Sequence, residues 1–127
     1  MDKKELMEIA KKASVNAYAP FSNFKLGAAL ETESGKVFTG VNVENSSYGL
    51  TNCAERTAIF KAVSEGERKF KRLVIYVDSD KLFPPCGACR QVISEFSNDL
   101  PIIIFSNKDV VETNINELLP MSFQLDT

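Results

Sequence analysis

The chain holds three cysteines and no histidine, and the placement of those thiols restricts the fold before any helix or strand is assigned. Cys53 opens Cys53-Ala54-Glu55, and the other two close the run Pro84-Pro85-Cys86-Gly87-Ala88-Cys89. C-x-x-C at a helix start puts both sulfurs on one side, a spacing common among zinc chelates. Helix N-termini also carry partial positive charge and unpaired N–H groups, which lower a thiol's pKa. For Cys53 to join that pair, two helices distant in sequence must bring their N-termini to one point. A sheet carrying both helices on one face would achieve that. A closed structural zinc site takes four protein ligands, usually cysteine or histidine, whereas three thiols leave a fourth position open, as catalytic zinc sites do. Two residues past the first thiol, Glu55 is placed to handle the protons of a water there.

Size and composition admit this. A chain of 127 residues is expected to form one domain, residues 1–127, with a real core. Hydrophobic content of 44% and charged content of 25% are ordinary for a globular protein. No run of about 18 apolar residues predicts a membrane span. The start, Met1-Asp2-Lys3-Lys4-Glu5, lacks the apolar stretch of a signal peptide. An odd cysteine count fits a reducing compartment better than a disulfide framework, so a cytoplasmic protein is expected. Net charge is -2, and the densest basic group is only Arg68-Lys69 with Lys71-Arg72. That is no polynucleotide-binding surface. No nucleic acid or membrane partner is expected, and a small neutral substrate is.

Periodicity supplies the elements. Leu6, Ile9, Ala10, Ala13 and Ala17 follow helical spacing, with Asp2 and Glu5 as a capping box and an end near Tyr18-Ala19-Pro20. Phe24 to Glu31 and Lys36 to Val43 read as a hairpin turning at Glu33-Ser34-Gly35. After a polar loop, Asn45 to Asn52, a helix is predicted from Cys53 to about Glu65, stopped by Gly66. Arg72 to Asp78 is a strand, Cys86 to Phe96 a helix, Pro101 to Phe105 a buried strand and Val110 to Glu112 an edge strand. The order αββαβαβ(β) indicates an α/β sandwich with a mixed sheet.

Each candidate residue also has an ordinary role when taken singly. Cys53 could be a small buried hydrophobe. Glu55 could be the partner of Asn52 in a capping box, Asn52-x-x-Glu55. Arg56 could be a surface arginine, and C-x-x-C serves redox chemistry as well as metals. Together, Cys-x-Glu followed by Pro-Cys-x-x-Cys matches the signature of zinc nucleobase deaminases, with cysteine in the first ligand position. Three thiolates on Zn²⁺ leave a net charge of about -1, which weakens the Lewis acid. Arg56 can offset this by donating to thiolate sulfur.

The chain resembles the small homotetrameric cytidine deaminases over nearly its whole length. The resemblance runs through Tyr18-Ala19-Pro20-Phe21-Ser22-Asn23-Phe24, Gly27-Ala28-Ala29-Leu30 and Asn42-Val43-Glu44-Asn45-Ser46-Ser47-Tyr48-Gly49-Leu50. It continues in Cys53-Ala54-Glu55-Arg56, in the Pro-Cys-x-x-Cys run, and in Leu118-Leu119-Pro120 with Phe123. It implies a three-layer α-β-α sandwich with a mixed five-stranded sheet, one Zn²⁺ per chain, and a homotetramer. By the same resemblance Cys53, Cys86 and Cys89 bind the metal, Glu55 shuttles protons and Arg56 supports the thiolates. Asn42 and Glu44 would hold the sugar hydroxyls, Phe24 would pack on the pyrimidine, and backbone near Ala54 would read its Watson–Crick edge. Tyr48 and Phe123 would contribute across subunit boundaries. The ending, Met121 to Thr127, is short for this group.

The implied activity is hydrolysis of cytidine and deoxycytidine to uridine and deoxyuridine with release of ammonia, a pyrimidine salvage reaction. Zinc lowers the pKa of a bound water towards about 7, and a nearby carboxylate can move its protons. A deaminase of a related aminopyrimidine nucleoside or nucleoside antibiotic is the neighbouring alternative. A thiol-disulfide oxidoreductase would use C-x-x-C but leave Cys53-x-Glu55 without a role. A noncatalytic zinc module would want a closed ligand set.

Overall fold

Helix α1, Lys3–Ser14, starts at Asp2, whose carboxylate accepts from the Glu5 N–H at 2.8 Å, one half of the expected capping box. The computed structural model describes residues 1–126, so Thr127 lies outside the described residues. Five strands follow: β1 Leu26–Thr32, β2 Val37–Val41, β3 Phe70–Val77, β4 Pro101–Phe105 and β5 Val110–Asn114. They form one sheet in the order β2-β1-β3-β4-β5. β3 and β4 are parallel, and the other three pairings are antiparallel.

Strand side chains alternate between faces, and both faces of this sheet are covered, which is why its central strands read as unbroken apolar runs. On one face Ala29, Val74, Tyr76, Ile103 and Phe105 meet Leu6 and Ala10 of α1. Their neighbours Ala28, Leu30, Leu73, Ile75, Ile102 and Ile104 point the other way. There they meet helix α2, Ala54–Ser64, through Ala54, Ala58, Ile59 and Ala62, and helix α3, Gly87–Phe96, through Ile93. The result is the three-layer sandwich with a mixed five-stranded sheet.

The helix that starts after Cys53, which carries one of the three sulfurs, is seated on a glycine. A Cβ at Gly40 of β2 would come 2.3 Å from the Ala54 carbonyl oxygen and 2.4 Å from the Ala58 nitrogen. Backbone cannot swing aside as a side chain can. Gly40→Ala is therefore expected to cost about 3 kcal/mol or more, read as a lower urea midpoint, and to reduce activity by moving α2. An unchanged midpoint would mean that α2 is not held this close.

Several boundaries differ from the sequence expectation for local reasons. α1 stops at Ser14, short of Ala17, because the Ser14 hydroxyl donates to the Lys11 carbonyl and Asn16 and Ala17 form turns on Ala13 and Ser14. Tyr18 then bridges to Val43, outside any helix. β1 begins at Leu26 and not at Phe24, since Asn23 is left-handed at φ 64° and Asn42 takes the backbone of Phe24 and Leu26. Cys53 and Cys86 are the residues before their helices, both in extended backbone, and not members of the first turn. β5 runs on to Asn114, which caps a short helix α4, Ile115–Leu118, through the Glu117 N–H at 2.9 Å.

Candidate active site

The site forms at the end of the sheet where β1 starts and β2 and β3 finish, with Gly27 beside Val41 and Leu26 beside Val77. Thr57 ties α2 to this end: its hydroxyl lies 3.1 Å from the carbonyls of both Val41 and Cys53. Arg90 fixes the start of α3, donating from Nε to Pro85 O just before the helix and from Nη1 to Leu118 O at the end of α4, each at 2.8 Å. Cys53 and Cys86 are thereby delivered at two adjacent helix starts, with Cys89 buried in the first turn of α3.

The three Sγ atoms lie within 4.8 Å of one another, and those of Cys53 and Cys86 are 3.6 Å apart. Arg56 is half-buried, and its Nη2 donates to the Cys53 sulfur at 3.3 Å, so it is no surface arginine. A hydrogen bond from the Cys89 thiol, together with Arg56, holds Cys53 far below the usual thiol range, at about 5, against the opposing effect of burial. Cys89 moves the opposite way, because it donates to the Cys53 sulfur and is buried. A soft dication placed among the sulfurs would take over the role of that shared proton.

Glu55 is 3% exposed, and its Oε1 has no hydrogen-bond partner among the described residues. Burial pushes its carboxyl up to about 7, and the anionic Cys53 sulfur adds to the rise. The capping role is overturned here. Cys53 occupies the cap position, and Asn52 turns its amide to the Thr57 hydroxyl at 3.1 Å. A buried carboxylate oxygen without a partner, beside three converging sulfurs, fits a zinc ion with one position left open for a reactant.

A cavity of about 250 Å³ opens onto this cluster. Cys53, Ala54, Glu55 and Cys86 line one part, and Asn42, Glu44, Thr51 and Asn52 line another. Phe24, Leu26, Phe83 and Pro84 supply its apolar walls. Asn42 is clamped, accepting from Leu26 N–H at 2.9 Å and donating to Phe24 O at 2.8 Å. Glu44 accepts from the N–H groups of Phe21 and Ser22 at 3.0 and 3.1 Å and from the Ser22 hydroxyl. That serine hydrogen bond leads the interactions that lower the Glu44 pKa. Both residues thus do the turn chemistry open to them in a polar loop while also facing the cavity.

Tyr48 and Phe123 are not brought into this cavity by their own chain. Tyr48 is 77% exposed and meets the Phe21 ring edge-on beside a second cavity, and Phe123 is 68% exposed. Two participants escaped the sequence reading. Ser22 orients Glu44, signalled only by its place in the Phe21-to-Phe24 run. Phe83 packs its ring 4.7 Å from that of Phe24, across a sequence separation that no local pattern reports.

Residues 1–105 match the family described as cytidine and deoxycytidylate deaminase zinc-binding region. A cytidine deaminase of Sporosarcina psychrophila is 50% identical over 125 residues, spanning 97% of this chain and 92% of its own. A blasticidin-S deaminase of Bacillus cereus is 34% identical over 127 residues, covering 94% and 90%. The crystal structure of a cytidine deaminase from Burkholderia pseudomallei superposes with a TM-score of 0.93 at 48% identity, over 97% of this chain and all of that one. Sequence similarity, fold and sulfur cluster agree, and the chain belongs to the cytidine and deoxycytidylate deaminase family.

Proposed function

We propose that the protein is a zinc-dependent hydrolase converting cytidine and deoxycytidine, with water, to uridine and deoxyuridine plus ammonia. The observation that carries this reading is the buried, unpartnered Glu55 Oε1 beside the three sulfurs, in a cavity whose polar part offers groups suited to a sugar. Cys53, Cys86 and Cys89 would hold the zinc, whose contribution when bound is Lewis acidity that yields a strong nucleophile at neutral pH.

The chain's own residues do the rest. Glu55 Oε1 accepts a proton from the attacking water and passes it to ring N3 of the pyrimidine. It then carries a second proton to the exocyclic amine, which leaves as ammonia while the carbonyl forms. A shuttle with a pKa near the working pH can both take and give. Ala54 opens α2, where backbone N–H groups have no partner within the helix, so it can bond the base edge. Phe24 covers the face of the ring. Asn42 and Glu44, already held by the 21–26 segment, offer their remaining valences to sugar hydroxyls. Arg56 offsets the excess charge of three thiolates.

Ammonia release from cytidine, deoxycytidine, deoxycytidylate, adenosine and guanine tests the reading. Turnover of the two nucleosides alone is expected, and a preference for deoxycytidylate would overturn it. Glu44→Gln should raise KM for cytidine about tenfold with zinc retained, because a charge-assisted bond to a hydroxyl becomes neutral. An unchanged KM would leave Glu44 only its turn.

Exposed Tyr48, Leu50, Phe123 and Leu125 support a homotetramer in which neighbours complete each pocket. Light scattering should give four chain masses, and a fully active monomer would oppose it. Both core clusters share one sheet, which supports a single domain. Among the described residues no helix is long and apolar enough to cross a membrane.

A further inference from the structure

Phe83 belongs to neither of the two core clusters, although its neighbour Leu82 packs on one of them. Its ring is half-buried, lines the cavity beside Pro84, and sits against Phe24 with ring planes inclined at 59°. The segment that carries it ends at Cys86, so the connection that delivers a sulfur to the cluster also delivers this ring. No polar atom of Phe83 takes part in proton transfer or metal binding. Its role has to come from shape.

The substrate's own chemistry says where that shape acts. The reacting carbon of cytosine, C4, has two ring neighbours, N3 and C5. N3 has to receive a proton, so it faces Glu55 and the start of α2. C5 then lies on the other side of C4, away from α2 and towards the wall formed by the segment that precedes α3. That wall is Phe83 and Pro84, and it is apolar, as a C–H edge requires.

We propose that Phe83 sets the size limit on what a substrate may carry at C5 of the pyrimidine. A hydrogen fits beneath its ring, and a bulkier group has to displace Phe83 or lift the base off the sulfur cluster. Phe24 blocks the simplest escape, since the Phe83 ring is already packed on it. The inference rests on the cytidine deaminase reading, and its test separates the two.

The measurement is kcat/KM for cytidine, 5-methylcytidine and 5-iodocytidine with the zinc-loaded wild-type enzyme, Phe83→Leu and Phe83→Ala. Comparing each analogue with cytidine within one enzyme, and then between enzymes, cancels the electronic effect of the substituent. Phe83→Ala should lose some activity on cytidine, because Phe24 loses its support. It should still raise the 5-iodocytidine to cytidine ratio about tenfold or more over wild type, the scale on which apolar pockets discriminate by size. Phe83→Leu should fall between, and 5-methylcytidine should respond less than the iodo compound. A ratio within about twofold of wild type in both variants, with both substrates falling in parallel, would overturn the proposal and leave Phe83 as a prop for Phe24. If Phe83→Ala does not fold, the Phe83→Leu ratio decides alone. A wild-type enzyme that releases no ammonia from cytidine would instead sink the deaminase reading.

Discussion

Glu55→Gln is expected to lower kcat for cytidine about 10⁴-fold or more, while the protein stays folded, keeps its zinc and still binds the nucleoside. Glutamine matches the shape of glutamate but cannot accept the proton of the attacking water. It also has none to return to N3 or to the departing amine. General acid–base catalysis by one group contributes about 10²–10⁴-fold. Here a single carboxylate takes up and delivers two protons in sequence, which places the loss at the top of that range or beyond it.

The geometry makes this variant more diagnostic than the sequence alone would. Had Glu55 capped α2, the substitution would have tested a helix end as well as a catalyst. Cys53 holds the cap position and Asn52 is engaged by Thr57, so α2 does not depend on the Glu55 side chain for its start. The Glu55 Oε1 atom is buried without a partner, which is costly to fold unless a bound reactant uses it. Replacing the carboxylate with a neutral amide removes part of that cost, so thermal stability should hold or rise slightly. Near-normal deamination by a folded, zinc-loaded Glu55→Gln protein would end the shuttle mechanism. A collapse in stability with proportionate loss of activity would make Glu55 structural.

What the sequence discloses follows from how local each feature is. The sulfur cluster is legible because ligand chemistry is specific to residue type, and the chain has no other soft ligands to confuse it. Central strands such as Pro101–Phe105 are legible because burial on both faces writes an apolar run directly into the chain. The orientation of Asn42 and Glu44 is not. It depends on hydrogen bonds to residues 21–26, brought alongside only when β1 and β2 pair. Phe83 meets Phe24 only after β1 and β3 pair, so its part in the cavity leaves no local trace. The ion pair of buried Glu31 with half-buried Arg72, 2.7 Å apart at Nε, joins neighbouring strands and is equally silent in sequence. Helix α4 is different. Its start is local, since Asn114 caps it through the N–H of Glu117, three residues on.

Single replacement of Cys53, Cys86 or Cys89 by alanine is expected to take bound zinc from one ion per chain to near none, with deamination lost in parallel. Three sulfurs within 4.8 Å of one another form the minimum set for a tight site with an open position, and two do not. The fold should survive, because none of the three cysteines is a member of either apolar cluster on the sheet. Stability should nevertheless fall in zinc-containing buffer, since a ligand bound only by the native state adds RT ln(1 + [L]/Kd) to it. Cys89→Ala should cost more than Cys86→Ala when both are metal-free, because Cys89 is buried and Cys86 exposed. Cys53→Ala is the decisive member of the set. A thiol-disulfide enzyme needs only Cys86 and Cys89, and would tolerate this change with its redox couple intact. A zinc deaminase needs all three, and Cys53 is also the sulfur that Arg56 supports. Elemental analysis and ammonia release on the three variants separate the cases. Zinc and activity retained in Cys53→Ala would remove the metal centre as drawn, and their joint loss in all three leaves the redox alternative without a site.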